Sequence, residues 1–544
     1  MPPVVTAMGM AMVTDTAMAT VMAAAMTRRR AEPRCLAFAI AAWAALAHAQ
    51  QANVPGPGSG SGSGSGTTIV PRVSLMQTWT DNLLLDDAHK DAALITTLSP
   101  GVRITSNHGV LRGTLDYALN GIGYLKSDRP SRFQNNLSAD LRAELISGLF
   151  FVDTRASIGQ QNASAFGQLS VPTLGSQGAV DNLANLNQRE TGSLTISPSL
   201  RSSLGAFATS ELRADFTRTE VRDSSLGDSR GSGGSWRITQ RDPGLLAWWM
   251  EIRAQQTKSK LAASNSMQSA RAGLSYRPDP DWYFNVNAGR ERSNYLGNGA
   301  QGGATGGVSA EWTPTPRTRF GADWQRHDYG NSHGLNFEHR LSRTVIRFAD
   351  TAMTTLGNSG AAGGLRTNYE QFFLLFASQE PDPVKRDALV RSYLLSQGLS
   401  PDAPLSGGFL SAGPSRLRSQ QLSFAMQGVR GAVTASAVRS VTSRLGNNLN
   451  TGDLANTSQI EQRSYSLTAS HQLTPQSGLS LTASRQETTG DFNGQAAKLS
   501  SVMVNWNLRF GPFVSGQLGA RRSRFEGVIP YSENAAYANL TQQF

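Results

Sequence analysis

Very few residues of this 544-residue chain are placed to do chemistry by themselves. His327 beside Asp328 sets an imidazole next to a carboxylate, the couple that activates water for hydrolysis. A single adjacent pair of this kind is a common accident of sequence. His333 and His339 are too far apart in strand periodicity to make a compact ligand pair. Asp81, Asp86, Asp87 and Asp91 offer oxygen ligands to a Ca²⁺, or simply solvate an outer loop. No P-loop pattern occurs, and "GSGSGSG" follows no strand that would make it a phosphate loop. The expectation is a protein that is not an enzyme, with no catalytic residue, cofactor or metal assigned.

What remains is charge at alternate positions. In "NLSADLRAEL" (Asn136 to Leu145), Leu137, Ala139, Leu141, Ala143 and Leu145 lie on one side and Ser138, Asp140, Arg142 and Glu144 on the other. A period of two is a strand, with successive side chains on opposite faces. "LRGTLDYAL", "ELRADFTR" and "VMVNWNLRF" repeat it, each about ten residues long, the length that crosses a bilayer at a tilt. A soluble barrel would pack its interior with large side chains, whereas this chain offers Asp, Arg, Asn and Thr. The apolar face is therefore expected to touch lipid.

Energetics make that alternation strict. An unpaired backbone group in hydrocarbon costs several kcal/mol, so the sheet must close on itself. Slipping the opening strand by one residue would push Asp140, Arg142 and Glu144 into lipid, where one Arg at the midplane costs about 2–4 kcal/mol. Short turns such as "SNHG", "ISG", "SLG" and "DPG" alternate with longer loops such as "KSDRPSRF" and "DSSLGDSRGSGG". That asymmetry predicts a transmembrane antiparallel β-barrel of about 22 strands (range about 16–24), turns toward the periplasm, with one helical loop insertion. Pro100 and Pro198 fall inside strands and predict bulges or breaks. Aromatics beside the short turns (Phe150 and Phe151, Phe207, Trp248 and Trp249, Trp282 to Phe284, Phe513) are expected to form the periplasmic girdle.

The polar face then lines the lumen. Its candidate residues are Arg112, Asp116, Asp140, Arg142, Glu144, Asp153, Arg155, Glu211, Arg213 and Asp215. They either pair across the ladder and stabilise the wall, or also line a permeation path.

The formal charge of +11 comes mostly from Arg spread over the whole length, which excludes a nucleic-acid arm. Solubility and lumen pairing account for it, or attraction of an acidic substrate. Residues 1–25 read as a start placed too early or as a disordered lead. Residues 26–49 read as a signal peptide, with Arg28 to Arg30 and Arg34 basic, Cys35 to Leu46 apolar and Ala47-His48-Ala49 a cleavage site. Cys35 is the only cysteine, so the exported chain would have none, as suits an oxidising compartment. Residues 50–68 are a Gly/Ser linker, and 69–544 one barrel in the bacterial outer membrane. Phe544, with Leu540 on the same face, is the expected signal to the barrel-assembly machinery, although Gln542 stands where a hydrophobe is usual. Residues 356–415 break the pattern with a helix, "PDPVKRDALVRSYLLSQGL", capped by Asp382 with Pro383 first and Gly398 as its stop. The insertion is either a decorated outer loop or an infolded plug, since a bare barrel of this size would leak.

"QTWTDNLLL", then "LSPGVRI", then "GTLDYAL" with Tyr124, then "LFFVDTRASIGQQ", and later "FFLLFASQEPDPVKRDALVRSYLLSQGL", resemble the outer-membrane β-barrel proteins associated with the PEP-CTERM/exosortase system. The resemblance spans most of 69–544 and implies a channel or secretion component for exopolysaccharide. It supplies no catalytic residue. Expected partners are outer-membrane lipid and the assembly machinery, with exopolysaccharide and envelope export components implied by the resemblance. A non-conducting structural or surface-interaction barrel is the alternative, and an outer-membrane hydrolase the third reading.

Overall fold

The computed structural model describes residues 66–544 apart from 126–128, 176–177, 181–182, 298, 447–450, 493 and most of 357–407. The expected signal and all but the end of the linker lie outside the described residues. Because residues alternate in preference from Thr67 onward, the chain forms one strand after another. The first are β1 (Thr67–Thr80), β2 (Ala93–His108), β3 (Leu111–Leu125), β4 (Arg132–Ile146) and β5 (Phe150–Asn162). A small hairpin, β6 (Thr173–Gly175) and β7 (Gly178–Val180), precedes β8 (Gln188–Leu204), β9 (Ala208–Val221), β10 (Ser229–Gln240) and β11 (Leu246–Ser259). Next come β12 (Asn265–Tyr276), β13 (Trp282–Ser293), β14 (Gln301–Thr315), β15 (Thr318–His327), β16 (Gly330–Arg340) and β17 (Thr344–Leu356). The last are β18 (Pro414–Gln427), β19 (Gly431–Arg444), β20 (Gln459–Thr474), β21 (Ser477–Gly490), β22 (Ala496–Arg509), β23 (Val514–Glu526) and β24 (Tyr531–Gln543).

Apart from the β6–β7 hairpin, every strand pairs antiparallel with the next, and β24 returns to β1 from Arg72↔Gln543 to Thr80↔Ala535. The result is a closed 22-stranded antiparallel β-barrel. Closure leaves no edge, as a sheet in hydrocarbon requires. One rim has short links, among them 109–110, 147–149, 205–207 and 475–476, with Gly148 and Gly205 in the left-handed region at φ 67° and 63°. The other rim carries the long ones: 81–92, 163–187, 357–413 and 445–458.

Exposure separates the two faces. Leu75, Phe216, Leu467 and Leu540 are 44–54% exposed and point outward, while their neighbours Ser74, Met76 and Thr541 are buried inside. With its apolar face outward on every strand, this is a transmembrane barrel of the outer-membrane type. The outer belt near the short turns includes Trp282 stacked on Phe284 and Trp312, with ring centroids 5.3 and 5.4 Å apart. The expected girdle needs correction at its doublets, because neighbours on a strand cannot share a face. Trp248 and Phe150 take the outward parity, whereas Trp249 lies inside under Arg237 and Phe151 between the guanidiniums of Arg142 and Arg201.

The prolines break the ladder, one of the two outcomes expected of them, and do not bulge it. β2 pairs Leu98↔Gly121 and Gly101↔Ala118 around Pro100, with no change of register, and Pro100 still pairs with Val73 of β1. β8 passes through Pro198 in the same way, Ile196↔Phe216 continuing to Ser199↔Arg213. Each proline lacks one donor toward one neighbour, so the ladder skips there without bulging. Register shifts occur instead at Glu144/Ile146, Trp312/Thr315 and Gln472/Thr474, all beside short turns.

Candidate functional site: the plugged lumen

All ten charged candidates take inward positions, opposite Leu115, Leu141, Val152 and Leu212 on their own strands. Facing strands turn them into a lateral network. Asp140 meets Arg155 at 3.0 Å, and Arg142 approaches Asp153 at 3.6 Å. Arg213 donates to both Asp153 and Asp215 at 3.0 Å, and Ser197 donates to Asp215 at 2.6 Å. Glu211 meets Arg201 at 3.2 Å, while Glu144 accepts the Gly148 N–H at 2.7 Å and so holds a turn. Asp116 takes Arg103 at 2.9 Å and also Arg72, a cation absent from the ten candidates. Arg112 has no ion pair among the described residues. Most of this wall is thus neutralised in place, with mixed sign presented to the lumen.

Two connections enter that lumen. Leu169, Leu183 and Ala184 of the β5–β8 loop pack on Met76, Ile95, Ile122, Leu499, Phe525 and Tyr531, all inward residues near the long-loop rim. Tyr531 donates to the Leu169 carbonyl at 2.6 Å, and Arg521 to that of Val171. The second is the 357–413 connection. Its described residues Phe372, Phe376 and Val390 are 0–2% exposed and pack on Val345 and Ala425. Val345 is the second residue of β17 and Ala425 the third from the end of β18, so a loop from the far rim reaches the short-turn end. Of its expected helix, Arg386, Asp387, Leu389 and Val390 are helical; Asp382, Pro383 and Gly398 lie outside the described residues.

The inner wall beside it has a matching character. Ser419, Gln421, Ser423, Thr434, Ser436, Gln462 and Ser464 are all buried, and no charge stands among the inner positions between Ser419 and Ala425. Sequence reasoning did not single out these hydroxyl-lined strands. The change from charged to small uncharged inner residues after β17 was the available signal.

The mouth is tied across. Asn162 at the end of β5 bridges to Phe409, and the Leu410 N–H donates to Asn162 at 2.9 Å. Asp453 accepts the Ala165 N–H at 2.6 Å and the Ser164 hydroxyl at 2.9 Å. Ala165, Phe166, Phe409, Leu454 and Ile460 close over these contacts. Burial holds the Asp453 carboxyl above the ordinary carboxylate range, against the pull of those two donors. An opened latch would return it to water and to its ordinary pKa, so protonation favours the closed form. The latch should therefore tighten as pH falls below the raised value and loosen as pH rises through it. Distance between labels at 165 and 454 would follow this, and Asp453→Asn should abolish the pH dependence.

His327 finds other partners than Asp328. Its Nδ1 is 2.9 Å from Glu291 and its Nε2 3.2 Å from the Ser332 hydroxyl, while Asp328 accepts from Ser293. Carboxylate, imidazole and hydroxyl thus stand in relay order. Tyr329 lies flat on the imidazole, centroids 4.8 Å apart, and Ser332 sits in the β15–β16 ladder opposite Gln325. Burial raises the Tyr295 hydroxyl of the same cluster to about 12, so it remains a neutral donor or acceptor. The relay therefore reads as a wall brace. His327→Ala should cost stability and leave ester hydrolysis at its background rate, as a chromogenic ester assay would check.

The acidic outer loop is spent on packing. Asp81 accepts the Asn534 N–H and side-chain amide at 2.8 Å, and Asp87 accepts the Ser532 N–H at 2.8 Å. Both staple the β1–β2 loop to the start of β24. No three acidic, His or Cys groups converge as a metal site among the described residues. The Phe544 N–H donates to Pro71 at 2.9 Å, and its ring, like Leu540, stays exposed on the outside.

No family model matches the sequence, and comparison with curated proteins gives no match. Among solved structures the chain is similar to the FrpB iron transporter from Neisseria meningitidis (F5-1 variant, apoprotein form). The TM-score is 0.46 and identity 9%, over 87% of this chain and 81% of that one. It is also similar to the siderophore receptor PirA from Pseudomonas aeruginosa, at TM-score 0.42 and 11% identity over 87% and 80%. Acinetobacter baumannii OccAB4 aligns at TM-score 0.30 and 10% identity over 88% and 98%. The barrel assignment rests on the strand pairing, not on these distant likenesses.

Proposed function

We propose that this protein is an outer-membrane conduit, closed by its own loops, that passes exopolysaccharide as part of a PEP-CTERM/exosortase system. The observation that carries the conduit is the seat of Phe372, Phe376 and Val390 on Val345 and Ala425 at the short-turn end of the inner wall. A 22-stranded wall encloses a wide channel, and a loop lodged inside it is what such a channel needs to avoid leaking. Paired charges and rows of Ser, Thr and Gln supply hydrogen bonds to a hydrated polyol without an apolar sink. Exopolysaccharide as the cargo is supported by the family resemblance of "LFFVDTRASIGQQ" and "FFLLFASQEPDPVKRDALVRSYLLSQGL".

The test has two arms. The purified chain in planar bilayers should be closed, with brief openings, and a strain lacking it should lose polymer from its surface. A silent barrel together with normal surface polymer in that strain would leave a non-conducting structural role. No catalytic step is assigned to the protein.

A further inference from the structure

The outer face is charged at one end only. Among the described residues, every Asp, Glu, Lys or Arg with outward parity lies within seven strand residues of the long-loop rim. Toward the short turns the same face carries no Asp, Glu, Lys or Arg on any described strand. Many of the rim cations are matched: Arg439 with Glu461 at 2.9 Å, and Arg418 with Asp350 at 2.8 Å. Arg230, Lys258, Arg290, Arg292, Arg326 and Arg416 are different, since all are exposed and none has an ion pair among the described residues.

Three of these share one place. Arg290 and Arg292 stand on β13, and Arg326 on β15 is carried beside β14 by Gly306↔Arg326. Between them the outward positions of β14 are Gly302, Ala304 and Gly306, paired to Arg292, Arg290 and Ala288. Two strand spacings make this saddle about 10 Å wide, with cations on both sides and no side chain larger than methyl on its floor. Directly below lie exposed Val286, Val308 and Trp324, then the Phe284–Trp282–Trp312 stack. Guanidiniums bind phosphate in a two-pronged fork, and hydrocarbon chains cover Val and Trp. Water alone would satisfy the cations, but not on a wall whose next residues face lipid.

We propose that Arg290, Arg292 and Arg326 form a site for the phosphate groups of an acylated phosphoglycolipid in the outer leaflet. The polar head sits on the Gly302–Ala304–Gly306 saddle and the chains run down over Val286, Val308 and Trp324. This site faces lipid and stands whether or not the lumen conducts.

The test uses the purified full chain in detergent, titrated with a bis-phosphorylated acylated glucosamine disaccharide and followed by native mass spectrometry. R290Q/R292Q/R326Q should weaken binding about a hundredfold, each cation near an anionic lipid surface counting for about fivefold. R290K/R292K/R326K, which keeps the charges but not the forks, should weaken binding less than the triple Gln variant does. The dephosphorylated lipid should bind the wild type no better than it binds the triple Gln variant. Equal binding of both lipids by the wild type would overturn the proposal. So would unchanged binding by the triple Gln variant, or displacement of the lipid by equimolar inorganic phosphate. Heat-dependent gel mobility checks that each barrel is folded. If the triple Gln variant is not, R290Q and R326Q singly should each lose about fivefold.

Discussion

Replacing residues 163–187 and 357–407 together by short Gly/Ser tethers is expected to turn a barrel of little conductance into a steady ohmic pore. The current should rise at least about tenfold, because a wall of this strand number encloses an aqueous channel when nothing fills it. The two segments act at different depths. Leu169 and Leu183 sit against inward residues of β1–β3 and β22–β24 near the long-loop rim, whereas Phe372, Phe376 and Val390 sit near the short turns. Either deletion alone should therefore give a smaller rise than both. Leu169 and Leu183 are 3% and 0% exposed, and burial of each contributes about 1.5–3 kcal/mol, so the first plug will not leave unaided. Single-channel recording of the three variants, each shown to be folded by heat-dependent mobility, decides the matter. A folded double deletion that stays silent would end the conduit reading.

The strands were legible because lipid punishes every error in a period of two. Leu137 to Leu145 and Leu212 to Phe216 alternate without fault, and the ten charged candidates fall inward for the same reason. What was illegible depends on contacts between distant segments. "ASAFGQLSVPTLGSQGAVDNLANLN" has no period, and only tertiary packing sends Leu169 and Leu183 into the lumen. His327 stands beside Asp328 in the chain but meets Glu291 instead, because adjacent strand residues point apart while registered strands bring partners together. The aromatic doublets failed on the same geometry. Cations spread singly along the chain reveal no patch until the meander lifts Arg290, Arg292 and Arg326 to one rim.

Glu533→Ala is expected to be the most damaging single substitution in the wall. Arg521 and Glu533 are both fully buried and meet in a fork, Nη2 to Oε1 at 2.7 Å and Nε to Oε2 at 3.1 Å. Ser523 donates to the same carboxylate at 2.8 Å and Thr80 at 3.2 Å, joining β23, β24 and β1. Removing the carboxylate takes the fork partner from a guanidinium buried inside the barrel, which costs about 3–5 kcal/mol. Replacing both by apolar residues, R521M/E533L, should cost much less, since such pairs roughly balance their own desolvation. The loop behaves differently from the wall, because Arg521 Nη1 also donates to the Val171 carbonyl. Both variants lose that tether if the guanidinium shifts or is absent, so limited proteolysis should cut within 163–187 in each while sparing the wild type. Arg521→Lys keeps the charge but not the fork, and should loosen the loop with an intermediate loss of stability. Urea unfolding midpoints in lipid, read beside the proteolysis, separate the two effects. A Glu533→Ala barrel that unfolds at the wild-type midpoint would mean that water reaches the pair. One that resists cutting within 163–187 would mean that the plug is seated by its other contacts, Leu169, Leu183 and the Tyr531 hydroxyl among them.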